Sequence, residues 1–216
     1  MNHLEVINKL IEKYNYKSYL EIGIYDGDNF SKVNIENKES NDISSDKLVY
    51  VDKLTYEMTS DEMFSKMPLD KKYDIIFIDG MHEEQFVDRD IINSMKHLNK
   101  GGVICIHDVI PKNRRAQENY YDRGYIQKDE WNGDVWKSIT KLQDQNIEFY
   151  TLRNYDYGLT IIKYRDNFYD LTVPNYLSKL KYDYLFNDTN DFNTCLKMQG
   201  IFVLHVITEE QFNFFV

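Results

Sequence analysis

The sequence predicts an α/β chain, a doubly wound and mostly parallel sheet of seven strands that ends in an antiparallel hairpin. Three observations predict it. Apolar runs such as "YDIIFIDG" and "GVICIHD" are continuous rather than alternating, as in strands covered on both faces. Between them lie stretches whose apolar residues recur every three or four positions, the period of crossover helices. The last two runs, "IEFYTL" and "GLTIIKY", are joined only by the turn "RNYDYG", too short for a crossover, so they must pair antiparallel.

Each element follows in order. Leu4, Ile7, Leu10, Ile11 and Tyr14 keep helical spacing, so residues 3–15 read as an amphipathic helix. "SYLEIGI" (18–24) is a short strand, and Asn29 to Val33 opens a helix after the turn "YDGDNF". The polar stretch that follows holds one weak strand near 39–43. A strand ending at Thr59 then leads to a helix with Ser60 as N-cap and Asp61 and Glu62 in its first turn. "YDIIFIDG" is a buried strand. Val87, Ile91, Met95 and Leu98 mark a helix stopped by "NKGG", and "GVICIHD" is the next buried strand. Residues 110–130 are polar and irregular, and a helix from Asp134 to Leu142 precedes the hairpin. Residues 1–165 read as one core. Residues 166–216, rich in Tyr and Asn, read as an appendage packed on or near it, with one helix around 176–186.

Composition narrows the function. The 216 residues carry 26 Lys and Arg against 36 Asp and Glu, a formal charge of −10. That balance disfavours a nucleic-acid backbone as partner, although Lys112, Arg114 and Arg115 form a local basic cluster. Cys105 and Cys195 lack metal or redox spacing and read as reduced, which fits a cytoplasmic protein. The N-terminus has no signal-peptide pattern, and no run of 18 apolar residues offers a membrane span.

The chemistry-bearing residues gather where strands end, which in an open α/β sheet is where ligands bind. Gly23 and Gly27 follow the first strand, with Glu21 at its end. The spacing E-x-G-x-x-x-G reads as a backbone turn around a ligand or as an ordinary tight strand–helix turn. Two later strands end in Asp79, with His82 three residues on, and in His107-Asp108. As sheet neighbours about 4.8 Å apart, Asp79 and Asp108 would repel unless a proton or an oxygen-loving cation lay between them. His107 precedes Asp108 and would face the other way on a regular strand, so only a turning chain aims both at one ion. His82 is the candidate general base. The lesser reading makes Asp79 a cap of the helix that begins near Glu83 and His82 a residue of that helix start. An "HD" phosphohydrolase would place its ligands on helices, and this "HD" ends an apolar strand.

Taken together, "YLEIGIYDGDNF", "MTSDEMF", "YDIIFIDGMHEEQFVDRDI", "GGVICIHDVIP" and "WNGDVWKSI" resemble class I S-adenosylmethionine (SAM)-dependent methyltransferases. More narrowly, they resemble a subgroup related to metal-dependent sugar O-methyltransferases. The resemblance covers residues 15–165 and implies the Rossmann-like methyltransferase fold. It implies that Glu21, Gly23 and Gly27 line the SAM pocket, that Asp42 meets the ribose, and that Ser60 and Asp61 sit at the adenine. Asp79 is implied at the methionine end of the cofactor and, with His107 and Asp108, as a ligand of Mg²⁺ or another divalent cation. His82 is implied as the base. The chain departs from the pattern at Ser40-Asn41, where a glycine-valine is usual, and at His107, where an acid is usual. Between 111 and 136, Tyr120, Tyr121, Tyr125, Trp131 and Trp136 with Arg114, Arg115 and Arg123 suit a sugar or polyol, or a lid that excludes water. Asp134 is expected to cap the helix after it, with Trp136 in the core. The expected function is methyl transfer to a hydroxyl of a carbohydrate or small molecule, with no nucleic acid or membrane as partner and room for a homo-oligomer. The alternative is a SAM-binding protein or non-catalytic subunit.

Overall fold

The computed structural model describes residues 1–112, 115–117, 131–144, 147–153, 157–164, 166 and 205–215. The helix expected at 176–186, and Tyr120, Tyr121, Arg123, Tyr125 and Cys195, lie outside them. In chain order the elements are α1 (His3–Tyr14), β1 (Ser18–Ile22), α2 (Asp28–Lys32), β2 (Asn37–Asp42) and β3 (Tyr56–Glu57). Then come α3 (Ser60–Lys66), β4 (Tyr73–Ile78), α4 (Glu84–Lys96) and β5 (Leu98–His107). A 3-10 turn (Arg115–Gln117), α5 (Val135–Asp144), β6 (Phe149–Leu152), β7 (Leu159–Lys163), β8 (Val206–Ile207) and α6 (Glu209–Phe215) complete the described chain.

The sheet order is β3-β2-β1-β4-β5-β7-β6-β8. Strands β3, β2, β1, β4 and β5 run parallel, and β7 is antiparallel to both β5 and β6. The doubly wound sheet with its hairpin is therefore as read from the sequence, except that the described residues form eight strands, not seven. The extra one is β8, parallel to β6 through Thr151↔Val206 and Leu152↔Ile207. Val206 and Ile207 end the apolar run "IFVLHVI" (201–207), which the sequence reading left within the appendage because nothing local shows that it joins the sheet.

Continuous apolar strands arise because both faces are covered. Alternate residues of β1, β4 and β5 (Leu20, Ile76, Ile78, Ile104, Ile106) pack with residues of α3, α4 and α5 in one core layer. Their neighbours (Tyr19, Ile75, Phe77, Val103, Cys105) pack with α1, α2 and Phe212 of α6 in the other. Helix α1 is closed by a capping box in which Asn2 and Glu5 exchange side-chain-to-backbone bonds, each 2.9 Å. It also holds α6, through Met1's ammonium on Glu209 and Lys9 on Asn213.

Two caps differ from expectation. Thr59, not Ser60, is the N-cap of α3, its hydroxyl accepting from the Glu62 amide at 3.2 Å. Either hydroxyl could serve on chemistry alone; the extended backbone at Thr59 decides. Asp134 does not cap α5 with its side chain. Its Oδ1 accepts from the Glu84 amide at 2.6 Å, at the start of α4. The N-cap of α4, Glu83, makes no side-chain cap bond of its own, so a carboxylate fifty residues away supplies it.

The strand order reverses between β1 and β4: the chain runs outward from β1 to β2 and β3, then returns to β4 on the other side. The crevice at that switch point, outside the carboxyl ends of the strands, is the general ligand position of such sheets.

Candidate active site

Gly23 follows β1 with φ +82°, and a Cβ there would sit 2.4 Å from the Asp79 carbonyl oxygen. Only glycine lets the ends of β1 and β4 approach so closely. The Gly23 amide donates to Asn41 at 2.8 Å, and the Asp79 amide to Ile22 at 2.9 Å, so β2, β1 and β4 finish at one level. Gly27 is the N-cap of α2, against Val51. The result is a concave turn of backbone beside two strand-end acids.

Those acids are Glu21 and Asp42. Glu21 is buried, and its Oε2 accepts from the Tyr19 hydroxyl at 2.5 Å and from Asn29 at 2.9 Å. Burial pushes its pKa up to about 8, against the Tyr19 hydrogen bond and with the help of Asp79's charge. Asp42 ends β2 and uses both oxygens locally: Oδ2 accepts from the Tyr25 amide at 2.9 Å and Oδ1 from the Ile43 amide at 2.7 Å. The first of these bonds holds Tyr25 in the left-handed region, at φ 51°, which non-glycine residues seldom occupy.

Ser60 and Asp61 start α3, beside α4. Asp61 is bound to Arg89, whose Nε donates to both its oxygens at 2.9 and 3.2 Å. Ser60 faces Asp90, a buried carboxyl on α4 that also lies near Gly80. Burial raises the pKa of Asp90 to about 7; Ser60 and Arg89 oppose that shift and Asp61 adds to it.

Beyond β4 and β5 the side chains converge. His82 places Nδ1 3.1 Å from Asp108 Oδ2 and Nε2 3.4 Å from Asp79 Oδ1. His107 Nδ1 donates to Asp79 Oδ1 at 3.1 Å. The chain does turn at Asp108, at φ 59°, which is how two successive residues of one strand both reach this cluster. The ligating atoms of Asp79, His82 and Asp108 all lie within 4.8 Å of one another. That mixed oxygen and nitrogen set could hold a divalent cation. His107 is not part of that three-residue group. It packs instead against His3 and Phe77 while serving Asp79.

The electrostatics follow from this crowding. Burial would push Asp79 up, but the charge of His107 and hydrogen bonds from both imidazoles hold it well below the carboxylate range. His82 is raised to about 9; burial opposes this, and the charge of Asp108 and contacts with Asp79 outweigh it. Burial raises Asp108, the two imidazoles oppose, and Asp79's charge adds to the rise. With His82 3.1 Å from one oxygen and an amide donor 2.7 Å from the other, the proton of this pair rests on the imidazole.

The segment Trp131–Asp134 closes over His82, and here sequence reading found the motif but missed its contacts. Trp131 stacks on the imidazole with centroids 5.1 Å apart, and its carbonyl lies 3.2 Å from Nδ1. Gly133, at φ +59°, packs so near that a Cβ would fall 1.6 Å from the His82 carbonyl oxygen. The Asp134 amide donates to that same oxygen at 3.0 Å. Asn132, to which the sequence reading gave no role, donates to Asp108. Trp136 is buried in the core, as expected.

Residues 43–109, from the end of β2 to the end of β5, match the family model of a methyltransferase domain. No curated protein matches the sequence. Among solved structures, the fold is similar to the Bacillus cereus O-methyltransferase in complex with SAH, at 13% identity and TM-score 0.54 over 76% of this chain and 82% of that one. It is similar to TomG of Streptomyces achromogenes, an O-methyltransferase of tomaymycin synthesis in complex with SAM, at 11% identity and TM-score 0.55 over 75% and 79%. SAH-bound PaMTH1 of Podospora anserina matches at 18% identity and TM-score 0.50 over 77% and 80%. At such identities the likeness is one of fold: the mixed sheet with flanking helices matches the Rossmann-like fold of these methyltransferases. The family match runs through the central strands β3 to β5 and covers about a third of the chain.

Proposed function

We propose that the protein transfers the methyl group of SAM to a hydroxyl oxygen of a carbohydrate or other small molecule, with His82 as general base. The observation that carries this reading is the meeting of Asp79, His82 and Asp108 directly beside the glycine turn of β1. The pocket chemistry suits SAM: a backbone cradle at Gly23 that a Cβ would fill, and acids at the ends of β1 and β2. Glu21 and Gly23 serve the methionine end, Asp42 the ribose, and Ser60 the adenine. Asp61, committed to Arg89, contributes through α3 rather than by contact. SAM supplies a methyl group on a sulfonium, whose sulfur departs with the bonding pair.

An alcohol is too weak an acid to ionise near neutrality, so the protein must take its proton as the O–C bond forms. The Trp131 carbonyl can only accept, so it favours a proton on His82 Nδ1 and leaves Nε2 as the basic nitrogen. Asp108, at Nδ1, steadies the imidazolium that results. His82 would shed its resting proton more readily if a positive charge stood near Asp79, because Asp79 would then hold the imidazolium less strongly. The aromatic Trp131 offers a face for a sugar ring or similar acceptor.

A divalent cation held by Asp79 and Asp108, with His107 beside Asp79, would lower the acceptor's pKa and leave His82 free as the base. Its requirement belongs to the same experiment. Labelled SAM is offered to pools of hydroxyl acceptors, with and without Mg²⁺, after SAH is shown to raise the melting temperature. Methyl uptake by a hydroxyl acceptor is expected, while SAH binding with no uptake from any pool favours a SAM-binding protein without transfer. The acidic surface and buried Cys105 accord with a cytoplasmic enzyme that binds no nucleic acid. No helix among the described residues is long and apolar enough to cross a membrane.

A further inference from the structure

Asp108 is held from a side that no strand supplies. Its left-handed backbone, costly for a residue with a Cβ, needs external support, and its carboxylate is buried at the end of β5. Asn132, 1% exposed, donates from Nδ2 to Asp108 Oδ1 at 2.7 Å, while Asp108 Oδ2 lies 3.1 Å from His82. Asn132 is itself fixed from behind. Its amide and that of Gly133 both donate to the carbonyl of Ala116, each at 2.9 Å. The buried amide therefore sits between a rigid turn and one of the three groups of the cluster.

We propose that Asn132 is a positioning residue for methyl transfer. By engaging Oδ1 it turns Oδ2 of Asp108 to His82 and leaves that carboxylate a single oxygen for the acceptor side. This rests on the reading of His82 as the base. An amide suits the task because it donates without adding charge. An aspartate of the same shape would place a third carboxylate against Asp108, a cluster that only a cation or a proton holds together.

The test needs no acceptor. The SAH-bound protein, labelled with ¹⁵N-histidine, is compared by NMR with Asn132→Leu, which keeps the shape and removes the donor. In the variant the His82 imidazole signals are expected to move, with SAH affinity changed by less than about twofold, since the losses are the hydrogen bond to Asp108 and the long one, 3.4 Å, from the Lys112 amide. Unmoved His82 signals overturn the proposal. So does a loss of SAH affinity of about tenfold or more, which would mark Asn132 as a packing residue of the whole site. Should Asn132→Leu fail to fold, Asn132→Asp decides, with Mn²⁺ binding read by electron paramagnetic resonance. Mn²⁺ affinity about tenfold or more above the parent's is expected, from the added carboxylate, and parental affinity overturns the proposal. Turnover of His82→Gln is measured separately. Parental turnover there sinks the base while leaving the positioning contact standing, so the two failures are told apart.

Discussion

The two halves of the crevice are built differently. The half at the ends of β1 and β2 is made of backbone: a glycine against β4, strand-end amides, and acids already satisfied by neighbours no more than about twenty residues away. The half beyond β4 and β5 is made of side chains from three distant segments, 79–82, 107–108 and 131–134, cross-linked to one another. The difference teaches that a pocket for an invariant cofactor can be local and rigid. A site proposed to move a proton instead brings charges together from distant segments and holds them against repulsion.

The largest expected effect separates the halves directly. His82→Gln should lower turnover by about 10²–10⁴-fold, the usual worth of a general base, while SAH binding by calorimetry stays near the parent's. Comparable loss of both would erase the distinction. Gly23→Ala is the mirror experiment. Its Cβ would meet the Asp79 carbonyl at 2.4 Å in a left-handed backbone, so stability should fall by about 1–3 kcal/mol and the melting shift on adding SAH should vanish. An unaltered shift would mean that β1 and β4 do not need their close approach.

The pH dependence sharpens the comparison further. A base must be neutral, and the free protein holds His82 protonated up to about pH 9. The value of kcat/KM should therefore rise with pH to about 9, instead of levelling near the ordinary histidine value of 6.5. The sign for stability is the reverse. A raised histidine pKa stabilises the fold fully below 6.5 and progressively less as pH climbs to about 9. A plateau of kcat/KM near pH 6.5 would show that Asp79 and Asp108 do not hold the proton.

The smallest effect concerns Asp90, beneath Ser60 on the cofactor side. Its folded pKa near 7 exceeds the unfolded 3.8, so folding takes up a proton between those values and is penalised above them. Asp90→Asn should raise the melting temperature at pH 8, with the gain shrinking toward pH 4. A gain independent of pH would contradict the buried acid.

Much of the cofactor half was legible because its signals are local. A strand period, an acid at the strand end and two glycines within seven residues can be read without knowing what lies opposite. Even there, Asp61 was assigned to adenine on position alone, and only the approach of α4 reveals its engagement with Arg89. On the acceptor side the sequence named Asp79, His82, His107 and Asp108 but not their pairing. It placed His107 beside Asp108 as a like ligand, whereas His82 completes the three-residue cluster. It gave Asn132 no role although "WNGDVWKSI" carried part of the resemblance, since a motif does not say which side chain turns toward Asp108.

What the sequence determined by itself is the strand–helix order, the burial of the strands on both faces and the residues that end them, because these depend on periods of two and of 3.6 along the chain. Which strand lies beside which, the eighth strand, the capping of α4 by Asp134, and the seating of Trp131 and Asn132 on His82 and Asp108 were decided only in three dimensions. They join residues up to sixty positions apart. Contacts of that kind depend on how finished elements pack, and no local propensity encodes them.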